Sequence, residues 1–273
     1  MKKISVVGFI LAIFILLVGC ASSGATGKEK EKIIKIGVTG GPPEEITNLV
    51  KEEAKKEGIQ LDVIKFNDIV TPNQSLAKGE LDINMFQAKQ FLEKYVADRK
   101  DPIIPIGTTY NSTLGIYSEK YESVDDIPEG ATLGVPNDPV NLWRGLLIFE
   151  EAGLIKIKDD VELATLNDIE DNPKKLKFKE LDVTLMLRTL NSIDAGIVAS
   201  TTAFNMGLDP VEESIYLETG NRFPMVVATN EKDKDNPDYK RIVELYHSDA
   251  VKSYIEEKYG DVIRVTDDPF TIE

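Results

Sequence analysis

Short apolar runs alternate with amphipathic ones along most of the chain. IIKIGVT (33–39) is a β-branched run that predicts a buried strand. In GGPPEEITNLVKEEAKKEG, Pro42 and Pro43 open a helix, Glu44 and Glu45 suit its first turn, and Gly58 ends it. Ile46, Leu49, Val50 and Ala54 fall on one face of that helix. IQLDVIKF (59–66) predicts the next strand. Strand, helix and strand in this order predict a parallel sheet with a right-handed crossover.

The alternation continues with a helix in 71–79, a strand at 81–86, a helix at 88–100 and a strand at 103–106. TYNSTLGIYS (109–118) is extended with no helix after it, and SVDDIPEG (123–130) is a turn-rich joint. A second series follows: strand 131–137, helix 139–152, strand 175–181, helix 183–190 and strand 195–200. Another extended stretch, PMVVATN (224–230), precedes helical runs at 236–247 and 249–259. Two α/β series joined by two extended crossings predict two lobes with a central cleft. Lobe 1 takes 33–112 plus 222–273, and lobe 2 takes 113–221. Ligands of such sheets bind at the carboxyl ends of strands, beside helix N-termini, and the turn from Gly134 to Pro139 is such a place.

The first residues are of another kind. Lys2 and Lys3 precede an apolar run, Ile4 to Val18, that is shorter than the ~20 residues of a membrane span. Residues 1–19 therefore read as a secretory signal peptide. Cys20 is the only cysteine, which excludes an intramolecular disulfide. Residues 21–32, ASSGATGKEKEK, have nothing with which to build a core, so 20–32 reads as a flexible leash.

Net charge is −15, which makes nucleic acid a poor partner. Loss of Lys2 and Lys3 leaves 30 basic against 47 acidic side chains, a net −17. Such a polyanion does not adhere to an anionic membrane by charge.

One residue runs against the local electrostatics. In VPNDPVNLWRGLLIFEEAG (135–153), Asp138 is the N-cap, Pro139 the first helical residue and Gly153 the stop. Arg144 sits in the second turn, near the positive end of the macrodipole. It shares a face with Asn141, while Leu142, Leu146 and Phe149 share the face suited to a core. A guanidinium there is sensible if it meets an anion, since arginine binds carboxylates in a bidentate way. The alternative is a surface ion pair with Glu151 or another acid of the lobe.

These stretches carry a resemblance. LVGC (17–20) resembles the lipobox of bacterial lipoproteins, which implies lipid on Cys20. The folded part resembles the NlpA lipoproteins, the methionine-binding lipoproteins of ABC importers. The likeness rests on IKIGVT with its Gly-Pro turn, FND followed by TPNQSLAKGELDINMFQ (71–87), VPNDPVNLWRGLLIFEEAGLI (135–155), AGIVASTTAFNMGLDP (195–210) and the spacing of the last helices. It implies a two-lobed periplasmic-binding-protein-like α/β fold, no cofactor, an amino-acid ligand, and permease and ATPase subunits as partners at the extracytoplasmic face of the cell membrane. It further implies that Arg144 grips the ligand carboxylate, that Asn141 stands beside it, and that Phe86 walls the apolar side chain. Ile69 and Ala88 stand where the family usually carries Tyr and His, Asn is usual near Ser200 and again near Met225, and Trp143 flanks the clamp. Altered polar positions leave room for another amino acid, a dipeptide or a different small carboxylate.

Other functions find less support in the residues. His247 is the only histidine and lies in a predicted terminal helix, so an extracytoplasmic enzyme would have one histidine base at most. One histidine and a lipid-claimed cysteine do not suit zinc. The acidic stretch 233–238 lacks the glycine and distal glutamate of a calcium loop, and no phosphate-binding Gly-rich loop is present.

Overall fold

The computed structural model describes residues 33–271, which form one compact unit. The expected signal peptide, lipidated Cys20 and leash lie outside the described residues. The first series comprises β1 (Ile34–Thr39), α1 (Pro42–Lys56), β2 (Leu61–Phe66), α2 (Thr71–Ala77), β3 (Ile83–Ala88), α3 (Lys89–Arg99) and β4 (Ile103–Ser112). The second opens with β5 (Leu114–Tyr117), β6 (Thr132–Pro136), α4 (Pro139–Glu151) and the short β7 (Lys156–Ile157) and β8 (Ile169–Asp171). It continues through β9 (Lys177–Leu181), α5 (Met186–Thr189), β10 (Ala195–Ala199), α6 (Ser200–Asn205), α7 (Pro210–Glu213) and β11 (Tyr216–Leu217). The chain then adds β12 (Pro224–Asn230), α8 (Pro237–Leu245), α9 (Asp249–Tyr259) and β13 (Ile263–Val265).

Two sheets carry the two lobes. The first has the order β13-β4-β12-β3-β1-β2 and the second β11-β5-β10-β6-β9. The chain leaves the first sheet at Ser112, enters the second at Leu114, and returns between Leu217 and Pro224. β1 pairs in parallel with β2 and β3, as the strand–helix–strand order requires. The sheet is nonetheless mixed rather than parallel. β12 comes back from the second lobe, inserts between β3 and β4, and runs against both. In the second sheet β6 is parallel to β9 and β10, whereas β5 runs against β10.

Apolar periodicity places the cores. Ile46, Val50 and Ala54 of α1 pack on Ile36 and Val38 of β1, together with Ile242 of α8, Tyr246 just after it, and Val251 and Ile255 of α9. The C-terminal helices thus return to the first sheet. Leu76 of α2 and Leu92 of α3 form a cluster with Val226 and Ala228 of β12. In the second lobe Leu142, Leu146 and Phe149 of α4 lie on Leu133, Val135 and Ile197. The expected helix 183–190 is only α5, because the Asp182 carboxylate accepts from the Thr184 amide at 2.8 Å and its hydroxyl at 2.6 Å, holding a turn there.

His247 is half-buried on the first lobe, after α8. Its Nε2 lies 2.9 Å from the Thr108 carbonyl, which makes Nε2 the protonated nitrogen. Burial holds its pKa below the ordinary histidine value, against the opposing pull of that carbonyl. A lowered folded pKa means that the unfolded chain takes up the proton first as pH falls below about 6.5. Stability contributed by neutral His247 is therefore full above that pH and is lost on acidification through the folded pKa. Thermal melts between pH 7 and 5 should show this loss, and His247→Gln should flatten the slope.

Candidate functional site

A cavity of about 440 Å3 lies between the lobes, within the ordinary range for small-molecule sites. It meets the first sheet at the carboxyl ends of its strands, through Thr39 of β1, Phe66 of β2 and Phe86 of β3. Ala199 of β10 and the N-terminal half of α4 face it from the second lobe. The Gly40-Gly41 turn brings the lobes close. Gly41 has φ +85°, and a Cβ there would stand 3.0 Å from the Thr201 carbonyl oxygen of α6. Only glycine combines that backbone angle with that approach.

Local structure fixes α4. Asp138 Oδ1 accepts from the Asn141 amide at 2.9 Å and closes the first turn. Its Oδ2 accepts from Asn141 Nδ2 at 3.0 Å. That bond fixes the carboxamide and leaves Asn141 Oδ1 as an acceptor in the cavity lining, with no hydrogen bond among the described residues. Burial pushes the Asp138 carboxyl above its usual range, against the Asn141 bonds that pull it down.

Arg144 lines the cavity and is only 6% exposed. Its partner is neither Glu151 nor any surface acid. Nε donates to both oxygens of Glu218, at 2.9 and 3.1 Å, and Nη2 donates to Glu218 Oε2 at 2.5 Å. Nη2 also donates to the Ser112 carbonyl at 2.5 Å. The Phe223 ring covers the guanidinium with its centroid 4.5 Å from Cζ. Glu151 is occupied by Arg222.

The rest of the wall is mixed. Phe86 and Phe91 meet edge to face with centroids 6.4 Å apart and, with Phe66, Ile69, Ala88, Val183 and Met225, form its apolar part, while Asn67, Gln87, Thr184, Thr201, Thr202 and Asn205 supply polar groups. The lining includes Lys65, Arg144 and Arg188 but no carboxylate, in a chain with 47 acidic residues. Lys65 is paired with Glu44 at 2.8 Å. Gln87, itself in the lining, ties it to two amides: Asn73 Nδ2 donates to Gln87 Oε1 at 2.7 Å, and Asn73 Oδ1 accepts from Gln87 Nε2 at 2.8 Å and Asn84 Nδ2 at 2.9 Å. All three amides are buried. Asn73→Ala leaves several of those groups unsatisfied at about 1–3 kcal/mol each, so denaturant titration should show a loss of about 2–4 kcal/mol.

Of the eight residues read from the sequence as ligand-binding, Ile69, Phe86, Ala88, Asn141, Arg144 and Met225 come together in the cavity. Ser200 and Trp143 do not line it. Ser200 is fully buried, with its hydroxyl 2.7 Å from that of Thr113, and its neighbours Ala199 and Thr201 face the cavity instead. Trp143 packs edge-on against Phe223, with centroids 5.7 Å apart. His247 is not in the lining either. Glu218 and Phe223 escaped the sequence reading because each lies more than 70 residues from Arg144, in a stretch with no periodic pattern. Their one signal is position, in the extended return crossing.

Two α/β lobes on a double crossing, with a helix-borne cation in the cleft between them, define a bilobal solute-binding protein. The family model for NlpA lipoproteins matches residues 34–265. The D-methionine-binding lipoprotein MetQ of Escherichia coli (strain K12) is 34% identical over 255 residues, covering 92% of this chain and 92% of that protein. A nutrient binding protein from Burkholderia cenocepacia, solved bound to methionine, superposes with a TM-score of 0.83 at 39% identity, covering 86% of this chain and all of that one. A periplasmic substrate-binding protein of an ABC transporter from Coxiella burnetii gives a TM-score of 0.83 at 35% identity, with coverage of 86% and 100%. The chain belongs to the NlpA lipoprotein family, whose members are non-enzymatic, membrane-anchored binding proteins of ABC transporters.

Proposed function

We propose that this chain is the extracytoplasmic, lipid-anchored substrate receptor of an ABC importer, and that its cleft takes methionine or a closely related amino acid. The observation that carries the reading is Arg144, a buried cation in the cavity wall opposite an aromatic and aliphatic surface. The guanidinium meets the ligand carboxylate, and the α4 N-terminus favours the same negative charge. Phe86 and Phe91 receive the side chain, where a thioether gains about 0.3–1.5 kcal/mol from sulfur–aromatic contact. Asn141 Oδ1, left as an acceptor by the Asp138 bond to Nδ2, takes the ligand ammonium in this reading. Lobe closure is driven by contacts that the ligand makes only when both lobes reach it.

Cys20 carries the lipid in this reading, because charge cannot hold a −17 domain at an anionic membrane. More than one acyl chain is needed for a stable hold, at about 0.8 kcal/mol per buried methylene. The permease and ATPase subunits of the importer are the partners. A second reading keeps the architecture and changes the ligand. The lining offers no carboxylate to an ammonium, which suits a small acid that lacks one at least as well.

A thermal-shift screen of the purified chain against amino acids, dipeptides and small acids separates the two. A ligand at a thousand times its Kd adds about 4 kcal/mol of stability. Methionine should give the largest shift. A dipeptide or a non-amino acid in first place would move the assignment to the second reading.

A further inference from the structure

We propose that Glu218 is a positioning residue that locks the Arg144 guanidinium onto both interlobe crossings, so that a carboxylate held by Arg144 acts directly on the hinge. The inference rests on the reading of the cleft as a carboxylate site. Five N–H groups are available on a guanidinium, and their assignment here is specific. The single Nε hydrogen is shared between the two Glu218 oxygens, at 2.9 and 3.1 Å. One Nη2 hydrogen goes to Glu218 Oε2 and the other to the Ser112 carbonyl, each at 2.5 Å. Nη1 keeps two hydrogens that meet no acceptor among the described residues, and it is the edge available to a ligand.

The partners lie on both connections between the lobes. Ser112 ends β4 where the chain leaves the first sheet. Leu114 begins β5 on the far side of that crossing, and its amide donates to Glu218 Oε2 at 2.9 Å. Glu218 follows β11 at the start of the return crossing. Phe223, the last residue before β12, covers the guanidinium, and Trp143 packs on Phe223. One cation on α4 therefore fastens the outgoing and the returning strands together.

This arrangement sets what ligand binding does. Glu218 already neutralises Arg144, so a ligand carboxylate at Nη1 brings a second anion to one guanidinium. The hydrogen bonds to Glu218 and Ser112 must share the cation with it, and the crossings they hold respond. Glu218 also fixes the plane of the guanidinium, without which Nη1 has no set direction. Trp143 is the only tryptophan in the chain, so its emission reports the stack without labelling.

The test uses the full chain in detergent, with Glu218→Gln and Glu218→Asp. Gln keeps the shape but sets an amide nitrogen against a donor, and Asp keeps the charge but is one methylene short. Asp also serves where the Gln variant fails to fold. Calorimetry with L-methionine and L-methioninamide, together with Trp143 emission in the ligand-free protein, gives the readouts. Glu218→Gln should weaken L-methionine by about tenfold or more and change L-methioninamide by less than about threefold. Both variants should shift the ligand-free Trp143 emission, Asp the less. Equal losses on both ligands would reduce Glu218 to a fold-stabilising role, a gain for methionine would make it a competitor of the ligand, and unchanged Trp143 emission would remove it from the hinge. Each of these overturns the proposal. A wild type that binds neither compound refutes the methionine reading alone, and the ligand-free Trp143 comparison still decides the role of Glu218.

Discussion

Arg144→Ala is expected to weaken methionine binding by about two decades or more, since truncating one partner of a buried charge pair costs about 2–5 kcal/mol. Micromolar affinity corresponds to about 8 kcal/mol, so the variant would bind only at about 0.1 mM or weaker. A second effect accompanies the first. The substitution strands Glu218, whose side chain is 4% exposed, with its cation gone. Leaving a buried charge unpaired costs about 3–5 kcal/mol, a large part of a typical total of about 5–15 kcal/mol. Loss of binding could then be mistaken for loss of folding. Arg144→Met combined with Glu218→Leu separates them, because replacing both members of a buried pair by apolar groups is often neutral or stabilising. The double variant should melt within a few degrees of the wild type and still fail to bind methionine. Recovery of binding with recovery of stability would remove Arg144 from the site.

Phe149→Ala should have an effect on stability as large as that of Arg144→Ala. Phe149 is fully buried on the inner face of α4, with the Phe178 ring 6.1 Å away. Truncation of such a ring costs about 3–5 kcal/mol through lost transfer energy and the cavity left behind. The denaturation midpoint should fall while the dependence on denaturant stays constant, since the surface exposed on unfolding hardly changes. The site shares in this damage. Phe149 presses α4 onto Leu133 and Ile197, and Arg144 stands on the same helix. Affinity should therefore fall in parallel, although Phe149 is not itself a lining residue.

Local chemistry explains why some of this was legible in the sequence. The Asp138-Pro139 start of α4 is written in the chain, because capping depends on neighbours three residues apart. The alternation that produced β1, α1 and β2 is likewise local, and so is the apolar face that returns α8 and α9 to the first sheet. The direction of β12 is not local. Its sequence, PMVVATN, suits either a parallel or an antiparallel neighbour, and only the route back from the second lobe decides. β7, β8, β11 and β13 are two or three residues long and carry no period. α6 and α7 hold six and four residues, too few for an amphipathic stripe.

The site divides in the same way. Arg144 stood out because a cation near a helix N-terminus conflicts with the macrodipole. What it pairs with was invisible, since a separation of 74 positions from Glu218 erases any spacing rule. Ser200 shows the limit of placing residues by likeness to a motif. The β10–α6 junction turns its hydroxyl toward Thr113 and offers Ala199 and Thr201 to the cavity. A shift of one residue at a strand end exchanges the inward and outward faces.

Calorimetric titration of the full chain with L-methionine and L-methioninamide tests the central claim most directly. A carboxylate anchored on Arg144 predicts micromolar or tighter binding of L-methionine, and methioninamide weaker by about a hundredfold or more. Equal affinity for the acid and its amide would contradict it.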